Sequence, residues 1–387
     1  MKTHELSWSA EHGLQRPADA AGDADLVLYF GPRELLGSNA WHKALSDAYG
    51  GALLFGCSSG GQIAARDVGD EAVNAVAIKF DHTRIRPASV EIASAQDSRT
   101  CARALAEQLA APDLAGVVVL SDGLNVNGSE LAAGLGETLG KSVPVCGGLA
   151  GDGANFAETR VGIGGLPRPG VIAAIGLYGK SIRIGYGSEG GWEAFGPIRT
   201  ITRSRGNVLL ELDGRPALDL YERYLGPEDI AALPGSALRY PLLIRNPDIA
   251  GHELVRTILS IDREQRTMTF AGDMPKGWTT QLMRSNFNRL ADGAAEAAEQ
   301  ASGMVEPAVG GLPDAAGGVS LMISCIGRRL VMGQRVVREI EAAGACLPER
   351  FSTLGFYSYG EIAPHAATGL CELRNQTMTV MTLAEAG

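Results

Sequence analysis

Residues 116–153 read GVVVLSDGLNVNGSELAAGLGETLGKSVPVCGGLAGDG, and this stretch decides the fold class. Gly116–Leu120 is a short apolar run suited to a buried strand, and SDGLNVNG is a polar, turn-rich loop. A helix follows, for which Ser129 is the expected cap. Val143–Cys146 is a second strand, and GGLAGDG ends it. Strand, loop, helix and strand in succession is the signature of a sheet with helices on its faces.

The same alternation extends towards the start of the chain. Asp25–Phe30 reads as a strand, Asn39–Tyr49 as a helix, and Ala52–Phe55 as a strand ending at GCSSGG. Val73–Phe80 and Ser89–Ala93 read as strands. Asp97–Ala111 reads as a helix, with Ala102, Leu105 and Leu109 at helical spacing. Residues 1–24 read as a polar lead-in. Four apolar strands end at Gly31, Gly56, Ser121 and Gly147. Parallel strands of one sheet would bring those ends to one edge, where open α/β sheets bind ligands.

From Val171 to about Leu212 the pattern changes to strands with tight turns, an antiparallel extension. A helix at Ala217–Tyr224 opens a C-terminal α+β domain. It holds strands near Leu254–Ile261, Thr267–Phe270 and Val319–Cys325, helices over Ser285–Gly303 and Arg335–Ala343, and a Gly/Pro-rich break at Gly310–Gly318. GFYSYGEI and CELRNQTMTVMT read as a final β pair. No repeat of fixed period is visible.

Composition narrows the function classes. The chain has 387 residues, 45% apolar and 20% charged, enough for two folded domains. The net charge is −10 and no Lys/Arg run stands out, which argues against nucleic acid and anionic membranes as partners. The first residues lack the apolar stretch of a secretory signal, and no apolar run reaches bilayer length, so a cytoplasmic location is expected. Six scattered cysteines without a CxxC pair fit free thiols. Six scattered histidines offer no local metal motif.

Several short motifs could carry chemistry. Gly56–Gly60 fits G-x-S-x-G, and a hydrolase reading would use Ser58 or Cys57 as nucleophile. That reading needs a helix directly after the motif, and Gly60-Gly61-Gln62 is a poor start for one. A second reading is a tight turn. A third makes Ser58, Ser59, Gly60 and Gly61 a cradle of backbone N–H groups for an anionic or carbonyl ligand. Gly151 and Asp152 could add an acceptor, or Asp152 could simply form an Asx turn. Arg328 is a candidate clamp for a carboxylate. Tyr357 and Glu361, within GFYSYGEI, complete the candidate ligand set, because a partly buried carboxylate needs a partner.

Taken together, GCSSGGQI (56–63), GGLAGDG (147–153), GSEGGWEAFGP (187–197), ELDGRPALDLY (211–221), SCIGRR (324–329), GFYSYGEI (355–362) and NQTMT (375–379) resemble the FIST family. The resemblance runs from about Asp25 to the end. It implies a FIST N domain over 25–218 and a FIST C domain over 219–387. It also implies a sensory rather than enzymatic role, detecting small molecules such as amino acids or related metabolites. The chain has no room for an output domain, so the resemblance implies signalling through a partner such as a histidine kinase, with self-association a further option. Some stand-alone bacterial members are described as haem-binding nitric oxide sensors. The family's closing strand often reads Leu-His-Asn, but here it is Leu373-Arg374-Asn375, so no histidine can ligate haem iron there. His365 is the nearest substitute, with His252 and His82 as others.

Overall fold

Each fully apolar strand of this chain must bury both faces, and the fold does so by arranging three sheets around one core. The computed structural model describes residues 1–18, 20, 22–309 and 317–386. The break expected at 310–318 falls largely outside the described residues.

Three units of the same topology make up the body. The first contains Lys2–Ser9, Leu26–Gly31, Leu53–Ser58 and Val73–Lys79. The second contains Arg84–Glu91, Leu114–Ser121, Val145–Leu149 and Val171–Tyr178. The third contains Ile182–Glu189, Gly318–Cys325, Phe351–Ser358 and Met378–Glu385. In every unit the second and third strands are parallel and connected through helix. The fourth strand lies antiparallel to the second, and the first antiparallel to the fourth. The registers coincide at the strand ends: Gly31 faces Ser58, Ser121 faces Leu149, and Cys325 faces Ser358.

The units also exchange strands in a closed ring. After its third strand, the first unit gives Gln62–Ala64 to the third unit's sheet. The third gives Gly360–Pro364 to the second, and the second gives Val161–Ile163 to the first. The body is thus an internal triplication that no sequence period betrays. The parallel strand ends expected along one edge lie instead in two sheets, whose ends converge.

The inner faces share one core. Leu28, Phe30 and Phe55 come from the first sheet, Val118 and Ile175 from the second, and Leu321 and Phe356 from the third. Phe30 and Phe356 stack across it with ring centroids 4.4 Å apart. Helices cover the outer faces: Ala40–Ala48 with Trp41 on the first, Ser98–Leu109 and Gly128–Leu139 on the second, and Phe287–Val309 and Val337–Ala345 on the third. The helix Phe287–Val309 lies so close to Ile182–Glu189 that a Cβ on Gly185 would stand 1.9 Å from the Ala301 carbonyl oxygen. Only glycine permits that approach.

Between the first and second strands of the third unit, residues 193–284 form an inserted β-rich subdomain. Its own core includes Ile201, Leu218, Ile244 and Phe270.

Three sequence expectations need correction. The lead-in contains the strand Lys2–Ser9, which pairs along its length with Val73–Lys79, and the short strand Gly13–Gln15. Polar residues on both of its faces hide its alternation. The helix Gly128–Leu139 is capped by Asn127, whose Oδ1 accepts from the Ser129 and Glu130 amides, and not by Ser129. GFYSYGEI does not pair with the closing strand as one piece. It divides at Tyr359 between two sheets.

Candidate functional site

Most of the sequence-predicted site residues lie where the three units meet. There the Gly60 amide donates to the Tyr357 carbonyl, the Gly151 amide to the Ser58 carbonyl, and the Tyr359 amide to the Leu149 carbonyl. The four amides of the expected cradle are all used inside the protein. Ser58 N–H donates to the Arg160 carbonyl, Ser59 N–H to the Gly31 carbonyl, Gly60 N–H to Tyr357, and Gly61 N–H to Ser59 Oγ. This arrangement leaves none of them for a ligand, so the cradle reading gives way to a tight junction.

The hydrolase alternative meets the same geometry. Ser58 is fully buried, and its Oγ accepts from the Arg160 amide at 2.9 Å. The motif runs into the strand Gln62–Ala64, not into the helix of a nucleophile elbow. Cys57 lies in the core, and burial pushes its thiol well up, which suppresses thiolate reactivity.

Asp152 organises the loop after the second unit's third strand. Its carboxylate accepts from the Ala157 and Glu158 amides at 3.0 Å each, from Arg33 Nη1 at 2.9 Å, and from the Tyr359 hydroxyl. Burial works to raise its pKa, but those donors prevail and hold it below the usual carboxylate range.

Arg328 is a clamp, but for an internal carboxylate. It is fully buried, and its Nη2 and Nε lie 2.7 and 2.8 Å from Glu339 Oε2. Its remaining donors reach the Gly190, Leu290 and Gln376 carbonyls. Glu339, also fully buried, accepts further from Ser324 Oγ at 3.0 Å and the Tyr357 hydroxyl at 2.7 Å. Arg328 and Tyr357 therefore share Glu339 as their partner. Sequence reading misses Glu339 because it sits on an ordinary-looking helix. Glu361 is separate: it accepts from Ser358 Oγ at 2.6 Å and from Thr377 Oγ1 at 2.9 Å, and burial pushes it up to about 8.

The open cavity lies elsewhere, at the seam between the inserted subdomain and the body. Its volume is about 380 Å³, within the range of small-molecule sites. Ala133 and Gly136 of the helix Gly128–Leu139 form one wall, Leu254 and Trp278 of the insertion another, and Cys371–Leu373 a third. The bonds that fasten the seam also line it. His252 and Glu372 meet at 2.6 Å across it. Buried Arg256 donates to the Leu373 carbonyl, and Ser129 Oγ accepts from the Asp273 amide. Within this wall Glu372 Oε2 is buried without a hydrogen-bond partner.

His365 stands beside this seam, its ring centroid 5.0 Å from that of His252. His252, His365 and Glu372 offer ligand atoms within 4.8 Å of one another. The hydrogen bonds nevertheless occupy both rings. The Ala367 amide donates to His365 Nδ1, which leaves Nε2–H to donate to the Glu253 carbonyl at 3.1 Å. Asn246 Oδ1 accepts from the Asp248 amide, which turns its Nδ2 towards His252 Nδ1 and leaves Nε2–H for Glu372. Burial, with Arg374 nearby, lowers the His365 pKa. The residues present do not fit a haem iron at His365, because either ring nitrogen would first have to give up a protein partner.

The chain is thus a mixed α/β body carrying an inserted β-rich subdomain, with a cavity at the seam between them. Comparison with known families matches the FIST N domain over residues 25–215 and the FIST C domain over residues 217–364. The chain belongs to the FIST family, whose domains are associated with sensing small ligands in signal transduction. No curated protein matches the sequence significantly. The junction between the matched domains, at 215 and 217, falls inside the insertion rather than between structural units. Among the described residues no helix is long and apolar enough to cross a membrane.

Proposed function

We propose that this protein is a small-molecule sensor that takes its ligand into the seam cavity and passes the binding event to a partner protein through the seating of the inserted subdomain. One observation carries this reading: the residues that fasten insertion to body, His252, Glu372, Arg256 and Asp273, are the residues that line the cavity. A ligand touching them has different contacts in seated and displaced arrangements, which is what a switch requires. An amino-acid-like metabolite is compatible with the cavity's size and mixed lining.

A thermal shift panel of amino acids, amines and organic acids tests the reading, run on the wild type and on Ala133→Phe. Ala133 lines the cavity from a rigid helix, so a phenyl ring there fills it. Compounds that raise the wild-type melting temperature by mass action should have no effect on the variant. Hits retained by Ala133→Phe would place the ligand elsewhere.

A further inference from the structure

The chemistry of the cavity wall is lopsided. Among its described lining residues Glu137, Asp273 and Glu372 are acidic, and Arg256 is the single Arg or Lys. That guanidinium is turned onto backbone, donating to the carbonyls of Asp273, Val255 and Leu373. Glu137, at an exposed position, is already paired with Arg99 and Arg103. Arg374, on the same strand face as Glu372 but outside the cavity lining, and Arg256 both act electrostatically on the Glu372 carboxylate, though neither donates a hydrogen bond to it.

Glu372 is different. One oxygen holds His252, and the other is buried with nothing to accept from. An unpartnered buried carboxylate oxygen is costly, and a donor supplied from outside relieves that cost. Trp278 lines the same cavity and packs in a T-shape against His252, the partner of Glu372, with ring centroids 4.9 Å apart. An indole next to a carboxylate is the pairing that recognises organic cations. Ala133, Leu254, Pro275 and Leu370 add an apolar portion of the wall that suits an aliphatic or aromatic stem.

We infer that the cavity selects an organic ammonium on an apolar stem, with the cationic head at Glu372 and Trp278. The inference rests on the cavity being the ligand site. Glu372 Oε2 is closed off from the cavity in this structure, so the head would donate to it after a small turn of the carboxylate that keeps Oε1 on His252, and binding would tighten the seam rather than open it.

Three probes of equal stem decide the matter: n-hexylamine, 1-hexanol and hexanoate, titrated calorimetrically into the full chain at neutral pH. Hexylammonium should bind at least about tenfold more tightly than hexanol, with hexanoate weakest, as expected for a cation that supplies the hydrogen bond Glu372 Oε2 lacks. Glu372→Gln keeps an acceptor for His252 and removes the charge. In it the ammonium-to-alcohol ratio should fall to about one. Because the wild-type series needs no variant, poor folding of Glu372→Gln would not protect the inference. Equal binding of all three probes, preference for hexanoate, or no binding of hexylammonium would overturn it. Binding that survives in Ala133→Phe would instead overturn the cavity as the site, which separates the two failures.

Discussion

Replacing Arg328 by Met separates a structural tie from a ligand clamp. In the fold, Arg328 and Glu339 are both wholly inaccessible, with nitrogen–oxygen separations of 2.7 and 2.8 Å. Removing the guanidinium leaves Glu339 with its Ser324 and Tyr357 donors but no counter-charge, and takes a donor from the Gly190 and Leu290 carbonyls. The Gln376 carbonyl keeps its bond from Trp192 Nε1. Breaking a buried pair from one side costs about 3–5 kcal/mol. Adding Glu339→Leu removes the stranded charge, and most of that loss should return, since apolar replacement of a whole buried pair is often near neutral. Urea unfolding of the wild type, both single variants and the double variant gives the cycle directly. A loss below about 1 kcal/mol in Arg328→Met would refute the structural role. So would unchanged stability with lost ligand affinity.

Three further outcomes are expected at other sites. Glu361 has a folded pKa raised to about 8 from an ordinary value near 4.5 by burial, so the folded state holds a proton that the unfolded chain releases. Stability should therefore fall as pH rises between those values, and Glu361→Gln should flatten that part of the urea-midpoint profile. Glu385 behaves oppositely. Burial opposes its ionisation, but Thr83 Oγ1 and the Asp81, His82 and Thr83 amides hold it at about 2, so its contribution is complete above the unfolded value and is lost as pH falls towards 2; Glu385→Gln should show a shallower acid limb. Gly151→Ala would put a Cβ 3.0 Å from the Tyr357 carbonyl oxygen and 3.2 Å from the Gly60 nitrogen, where the three units meet. Overpacking there should cost about 1–3 kcal/mol by urea denaturation, and an unchanged midpoint would show that the junction yields.

How much is legible in the sequence depends on what each signal reports. The buried strands announce themselves: Val171–Tyr178 is apolar throughout and buried throughout, and its boundaries can be read almost to the residue. The strand Lys2–Ser9 does not, because both of its faces carry polar residues, Lys2 and His4 beside Leu6 and Trp8 on one and Thr3, Glu5 and Ser7 on the other, and its partner lies some seventy residues away. Pairing partners are not a local property, so the exchange of Gln62–Ala64, Val161–Ile163 and Gly360–Pro364 among units cannot be read from periodicity. Three-residue strands carry almost no pattern.

The candidate residues show the same division. Glycine-rich turns mark a place of close backbone approach, since Ser58–Gly61 and Gly151–Asp152 meet there. They do not reveal that the amides serve one another. Arg328 does clamp a carboxylate, but its partner Glu339 comes from a helix with no motif. The cavity is invisible in the sequence because its walls come from Ala133, Leu254, Trp278 and Glu372, individually ordinary positions brought together by the insertion. Only His252 and His365, considered as isolated histidines, point towards it.

Amide hydrogen exchange with and without a saturating compound from the thermal panel tests the central claim most directly. Ligand in the seam cavity should slow exchange in the strands Glu253–Arg256 and Cys371–Arg374, which flank it, and leave Ser58–Gly61 unchanged. Protection that appears around Ser58–Gly61 while those two strands exchange as before would contradict the account.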